Sequence, residues 1–264
     1  MTAFQAMARD IRSLLPETAG ELDRWRELGL AARFWWRDDD AVGDTPELRR
    51  MIGQAENAGL GIVLAVIPDR LEQGLVERIA ASPSIGIMQH GFRHLNHAAS
   101  GGKKSEFGPD RDPDASIADL KSGHARLAAV FGRRFTPWLA PPWNRIDPGV
   151  SSRLGETGIR GLSLYGDSPK GSPAGIPAVH THLDIIDWKA GGGFVGAGAI
   201  DLLFAAALHR RRSGVIPVNA PIGLLTHHLV HDSACTAFID SFAAFVRGSA
   251  ALECPESGEL FGIS

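Results

Sequence analysis

The stretch 62–67, Ile-Val-Leu-Ala-Val-Ile, constrains the fold more than any other. An unbroken apolar run, mostly β-branched, reads as a strand covered on both faces, and such strands belong to parallel sheets layered with helices. Its flanks agree. Residues 45–59 read as a helix with Thr45 as N-cap, Pro46 at the first helical position and Gly59 closing it. Residues 69–81 read as helical again. The alternation continues with strands at 33–37, 84–88, 135–140, 161–164, 178–186 and 221–227. Helices are expected at about 115–131, about 148–157, 200–212 and 234–248. About seven β/α units over 264 residues fit a closed barrel better than an open sheet. The start, roughly 3–30, reads as one or two amphipathic helices broken near Pro16. No linker-like stretch divides the chain, so one domain over 1–264 is expected, with its helical segment at about 1–30. The glycine-rich stretch 190–198 follows Trp188 and Lys189 and has no acidic partner about 20 residues on, so it reads as a loop rather than a dinucleotide cradle.

Composition removes several function classes. Net charge is −3 and the pI about 6.4, which gives no basic footprint for nucleic acid. No apolar run approaches a membrane span. The first residues lack the uninterrupted apolar core of a signal peptide. Cys235 and Cys254 stand in no Cys-x-x-Cys pair and read as ordinary thiols. A cytoplasmic protein is the expectation.

Reactive residues of a parallel barrel sit where strands end, and the unusual residues gather at those ends. The first strand runs into Arg37-Asp38-Asp39-Asp40. The third runs into a stretch holding His90, His94 and His97. The fourth ends in Ala140-Pro141-Pro142-Trp143-Asn144-Arg145. The strand near 180 ends in Asp184 to Trp188, and the last in Thr226-His227-His228. Three adjacent aspartates are costly unless something positive neutralises them, and a divalent cation does so best. One Asp with two His is a suitable zinc set that leaves a position for water, and Fe, Co or Mn accept the same ligand types. A second aspartate beside the metal can take a proton, and a histidine opposite can give one.

This ordered set resembles the polysaccharide deacetylase (NodB-homology) family of carbohydrate esterases, over about residues 33–232. Asp-Asp at a strand end, His90-x-x-x-His94, Pro141-Pro142-Trp143, Asp184-x-x-Asp187-Trp188 and Leu225-x-His227 stand in the family's order. The resemblance implies a distorted (β/α)7 barrel that removes an acyl group, an acetyl above all, from an amino sugar or related N-acylated carbohydrate. It implies Asp39 as base, Asp40, His90 and His94 as metal ligands, and His227 as acid. It also implies oxyanion or substrate contacts from Trp143, Pro142, Arg145 and Trp188. The register stays open by one at two places: Asp38 with Asp39 instead of Asp39 with Asp40, and His228 instead of His227. Small Ala41, standing where the family has glycine, favours the later aspartate pair. The family's arginine before the two prolines is replaced by Ala140, and Arg145 or Arg37 is the candidate substitute. Asn96-His97 and the stretch 103–108 lie outside the family pattern. Two alternatives remain: a non-catalytic glycan-binding or regulatory protein on the same barrel, and a metal-dependent amidohydrolase centred on His180 and His182.

Overall fold

The computed structural model describes residues 11–167 and 175–262. The part of the expected N-terminal helical segment before residue 11 lies outside them. The strands are β1 (Ala32–Ala41), β2 (Ile62–Val66), β3 (Ile85–His90), β4 (Phe135–Ala140), β5 (Gly161–Leu162), β6 (Leu183–Asp184) and β7 (Ile222–Thr226). They follow the order β5-β4-β3-β2-β1-β7-β6, and a short β8 (Leu252–Glu253) pairs with β1. The pairs β1–β7, β6–β7, β3–β4 and β4–β5 are parallel. A seven-stranded parallel sheet alternating with helices is the expected architecture, that of a distorted (β/α)7 barrel. Every residue of β2 is buried, as its composition requires.

Residue contacts group into two compact units. The first comprises residues 1–38, 45–62 and 181–256, the second 39–44, 63–180 and 257–264. In the first unit β1 runs beside β7, with Phe34 opposite Ile222 and Asp38 opposite Thr226. Its helices are α1 (Pro16–Glu27), α2 (Pro46–Ala58), α6 (Ala197–Arg212) and α7 (Ser233–Gly248). The rings of Phe34, Phe204 and Phe242 meet at centroid distances of 5.7–5.9 Å and centre its core. Helix α2 is capped as the sequence requires: Thr45 Oγ1 accepts the Leu48 N–H, and Gly59 closes the helix at φ 66°. Helix α1 has Leu15 in the N-cap position, which offers no side-chain acceptor. Asp201 of α6 takes over that task, accepting the N–H groups of Thr18 (2.7 Å) and Glu17 (3.1 Å). A buried carboxylate thus satisfies helix-start donors across the sequence.

The second unit carries α3 (Gln73–Ala81), α4 (Pro113–Phe131), α5 (Pro148–Ser151) and α8 (Ser257–Phe261). Its core packs Leu120 of α4 against Leu139, Leu154 and Leu162, all fully buried. Two expected elements are shorter than the sequence suggests. The strand expected over 178–186 is reduced to Leu183–Asp184 and isolated bridges, among them Leu162 with Ala178 and Ile186 with Phe194. Beside the breaks, histidine rings meet backbone donors. His180 Nδ1 accepts the Leu164 N–H in the second unit, and His182 Nδ1 accepts the Gly223 N–H in the first. The helix expected over 148–157 is interrupted after Ser151 and resumes as a 3-10 turn, Leu154–Thr157. There Thr157 Oγ1 back-bonds to the Leu154 carbonyl and Gly158 follows at φ 86°.

Candidate metal centre

In the second unit, the end of β1 and the end of β3 deliver three ligand-type atoms to one point. Asp40 Oδ1 lies 3.2 Å from His90 Nε2 and 3.2 Å from His94 Nε2. Ligands bound at about 2.0–2.1 Å in a tetrahedron stand about 3.3–3.4 Å apart, so the spacing fits a cation among them. Among the described residues these three form the one His/Cys/Asp/Glu group with metal-ligand spacing. His90 is prepared for that role. Its Nδ1 lies 2.9 Å from the Ala140 carbonyl, to which it donates, and this leaves the Nε2 lone pair facing Asp40. Burial, joined by the charge of His90, holds the His94 imidazole below its usual pKa against the pull of Asp40 and Asp39. That favours the neutral ring a metal requires over an ion pair with Asp40.

The ligand loop is held through its backbone. Gly91 turns the chain at φ 59°. Its carbonyl accepts Gln89 Nε2 at 2.9 Å, and the Phe92 carbonyl accepts the Asp69 N–H at 3.0 Å. The N–H groups of Phe92 and Arg93 both go to the carboxylate of Glu106. Burial pushes that carboxyl upward, and these N–H groups pull it back. A Cβ on Gly91 would stand 2.0 Å from Glu106 Oε2 and 2.7 Å from the Pro142 ring. Gly91→Ala is therefore expected to lose about 2–5 kcal/mol from left-handed backbone and overpacking together, read by urea denaturation.

Four non-glycine residues adopt positive φ among the described residues: Asp40 (70°), His94 (58°), Trp143 (57°) and Asn144 (52°). Two belong to the Asp40, His90 and His94 group. A third, Trp143, lays its ring on His94 at 4.3 Å between centroids. Strained backbone concentrates where a structure fixes functional groups. Pro142 is buried beside this turn. Arg145 is exposed, and its guanidinium donates to the Lys104 carbonyl at 2.8 Å. His97 is exposed as well and pairs with Ser105 through its backbone N–H.

The first unit places the other sequence candidates. Asp38 and His228, the two register alternatives, bond each other. His228 Nδ1 lies 2.5 Å from Asp38 Oδ2, while Asp38 Oδ1 accepts the His228 N–H at 3.0 Å and Thr226 Oγ1 at 2.7 Å. Both side chains are fully buried. Thr226 Oγ1 in turn accepts Trp36 Nε1 at 2.9 Å. Asp39, the next residue along, is buried in the second unit beside Asp40. His227 is half-buried, its ring meeting that of Trp188 edge-to-face at 4.7 Å between centroids. Trp188 itself is 51% exposed and anchored by Nε1 on Asp184 Oδ2 at 2.8 Å. His182 Nε2 lies 3.1 Å from the buried Arg211 guanidinium, and both its ring nitrogens face groups of its own unit. Arg37 is fully buried in the same unit. Sequence reasoning missed Glu106, whose only signal was its place inside the unassigned stretch 103–108.

No protein-family model and no curated protein sequence matches the chain. Solved structures do. The family 4 carbohydrate esterase from Streptomyces lividans, in complex with acetate, is 12% identical, with a TM-score of 0.53 over 84% of this chain and 90% of that one. The Bc1960 peptidoglycan N-acetylglucosamine deacetylase is 13% identical, with a TM-score of 0.52 over 89% and 90%. A mutant of BA3943, a family 4 pseudoenzyme with restored enzymatic activity, is 14% identical, with a TM-score of 0.55 over 88% of this chain and 68% of that one. At these identities the likeness is one of fold, and the fold is that of the family 4 carbohydrate esterases and deacetylases.

Proposed function

We propose that this chain is a metal-dependent hydrolase that removes an acyl group, an acetyl above all, from an amino sugar or related carbohydrate. The observation that carries the reading is the convergence of Asp40, His90 and His94 with Asp39 next in the chain. Zinc is the first expectation, and Fe, Co and Mn take the same ligand types. A divalent cation bound there supplies Lewis acidity that activates water and polarises the acyl carbonyl. Asp39 accepts the proton of the attacking water. The Trp143 N–H donates to the oxygen that becomes negative as the carbonyl is attacked. His227 protonates the departing amine, and Trp188 offers a flat apolar face to a sugar ring. Acetate in the Streptomyces lividans esterase and the N-acetylglucosamine in the name of Bc1960 support an acetylated sugar as substrate. Among the described residues no helix is long and apolar enough to cross a membrane.

The test joins metal analysis of the purified protein with hydrolysis assays on N-acetylated sugars. One metal per chain is expected, with both metal and turnover lost in the Asp40→Ala/His94→Ala double variant. Full activity in metal-free protein sinks the proposal. A second reading, a glycan-binding protein without turnover, is favoured by Ala140 alone, where an orienting arginine is expected. It predicts that N-acetylated sugars bind and are never cleaved.

A further inference from the structure

Among the buried carboxylates that the proposed chemistry leaves unused, one adjoins the metal centre. Glu106 is fully buried, and it sits against the turn that presents His94. Its Oε1 accepts the Arg93 N–H at 2.7 Å and its Oε2 accepts the Phe92 N–H at 3.2 Å. A buried carboxylate is expensive without partners, and here the partners are backbone donors of the ligand loop rather than a lysine or arginine.

A dedicated clasp brings Glu106 there. Asn96 Oδ1 accepts the Ser105 N–H at 3.0 Å, and the His97 N–H donates to the Ser105 carbonyl at 2.9 Å. On the other side, Arg145 holds the Lys104 carbonyl, and the Asp147 N–H donates to the Phe107 carbonyl at 2.7 Å. Phe107 is fully buried and anchors the stretch in the core. Asn96-His97, the stretch 103–108 and Arg145, which stand apart in the sequence, are thus parts of one device. Gly91 completes it, because any side chain there would occupy the place of the Glu106 carboxylate.

We propose that Glu106 is the positioning residue of the metal centre: its carboxylate, carried in by the 96–105 clasp, holds the 91–94 turn in the conformation that aims His94 Nε2 at Asp40. The proposal rests on the metal-dependent reading above. His94 keeps a left-handed backbone (φ 58°), which relaxes once the two N–H groups lose their acceptor. Glutamine has nearly the same shape but offers one acceptor oxygen and turns a donor NH2 toward the second N–H.

The experiment titrates metal-free protein with cobalt(II) and follows visible absorption, whose bands report coordination geometry. Glu106→Gln is expected to weaken cobalt affinity about 10–100-fold, the range for partners that orient ligands, and to change the bands. A merely structural role lowers the melting temperature and leaves affinity and bands of the folded protein as they were. That outcome overturns the proposal. Asn96→Ala loosens the clasp without touching the turn and covers the case where Glu106→Gln does not fold. It is expected to weaken cobalt binding in the same direction, and unchanged affinity there also overturns the proposal. If the unaltered protein binds no cobalt, the metal-dependent reading itself has failed, a result distinct from a selective failure of Glu106.

Discussion

Asp39→Asn is expected to lower hydrolysis of an N-acetylated sugar by about 10²–10⁴-fold, the usual range for general acid–base catalysis, while metal content stays unchanged. Asparagine keeps the shape of the side chain and cannot accept the proton of the attacking water. The three adjacent aspartates leave few other assignments. Asp38 is bonded to Thr226 and His228 and fully buried. Asp40 is the carboxylate that meets His90 and His94. On the proposed function, the proton goes to Asp39. The same measurement checks the order of the pair: if Asp39→Asn strips the metal, base and ligand are exchanged. Asp38→Asn is the contrasting variant, because it removes a partner from a buried pair and is expected to appear first in stability.

His227→Ala is expected to cost about 10²–10⁴-fold in turnover of an amide substrate, again without loss of metal. An amine leaves slowly unless it is protonated, whereas an ester with a good leaving group needs little help. The loss on such an ester should therefore be much smaller, and steady-state assays on matched amide and ester substrates measure the difference. The surroundings of the two neighbouring histidines differ. His228 is buried with Nδ1 on Asp38, whereas His227 is half-buried beside Trp188. A metal-free His227→Ala protein makes His227 a ligand and ends its assignment as the acid. A selective amide defect in His228→Ala alone moves the register by one and leaves the mechanism standing.

The parts of the fold legible in the sequence were those governed by neighbouring residues. The apolar run of β2, the caps Thr45 and Gly59, and polar clusters at strand ends are local signals, and each stands where the pattern puts it. The illegible parts depend on contacts between distant residues. Nothing near Pro16 reveals that Asp201 caps α1. The ladder at 178–186 is interrupted, and there the His180 and His182 rings meet the Leu164 and Gly223 N–H groups, which no β-propensity records. Within the candidate site, the His-x-x-x-His spacing points to His90 and His94, while the carboxylate behind them is a lone Glu in a polar loop. Its meaning depends on Asn96 and Ser105 closing that loop. The surroundings of the three aspartates were illegible as well: Asp38 pairs with Thr226 and His228, whereas Asp40 meets His90 and His94.

The left-handed residues gathered at the centre set a direction for sequence drift. Glycine adopts positive φ without a Cβ penalty, so relief of backbone strain alone favours glycine at Asp40, His94, Trp143 or Asn144, opposed by the contacts each side chain makes. At Asp40 or His94 that change removes a member of the Asp40, His90 and His94 group. Relief of backbone strain alone would therefore erode the centre, and on the proposed function it is metal capture that holds aspartate and histidine at these angles.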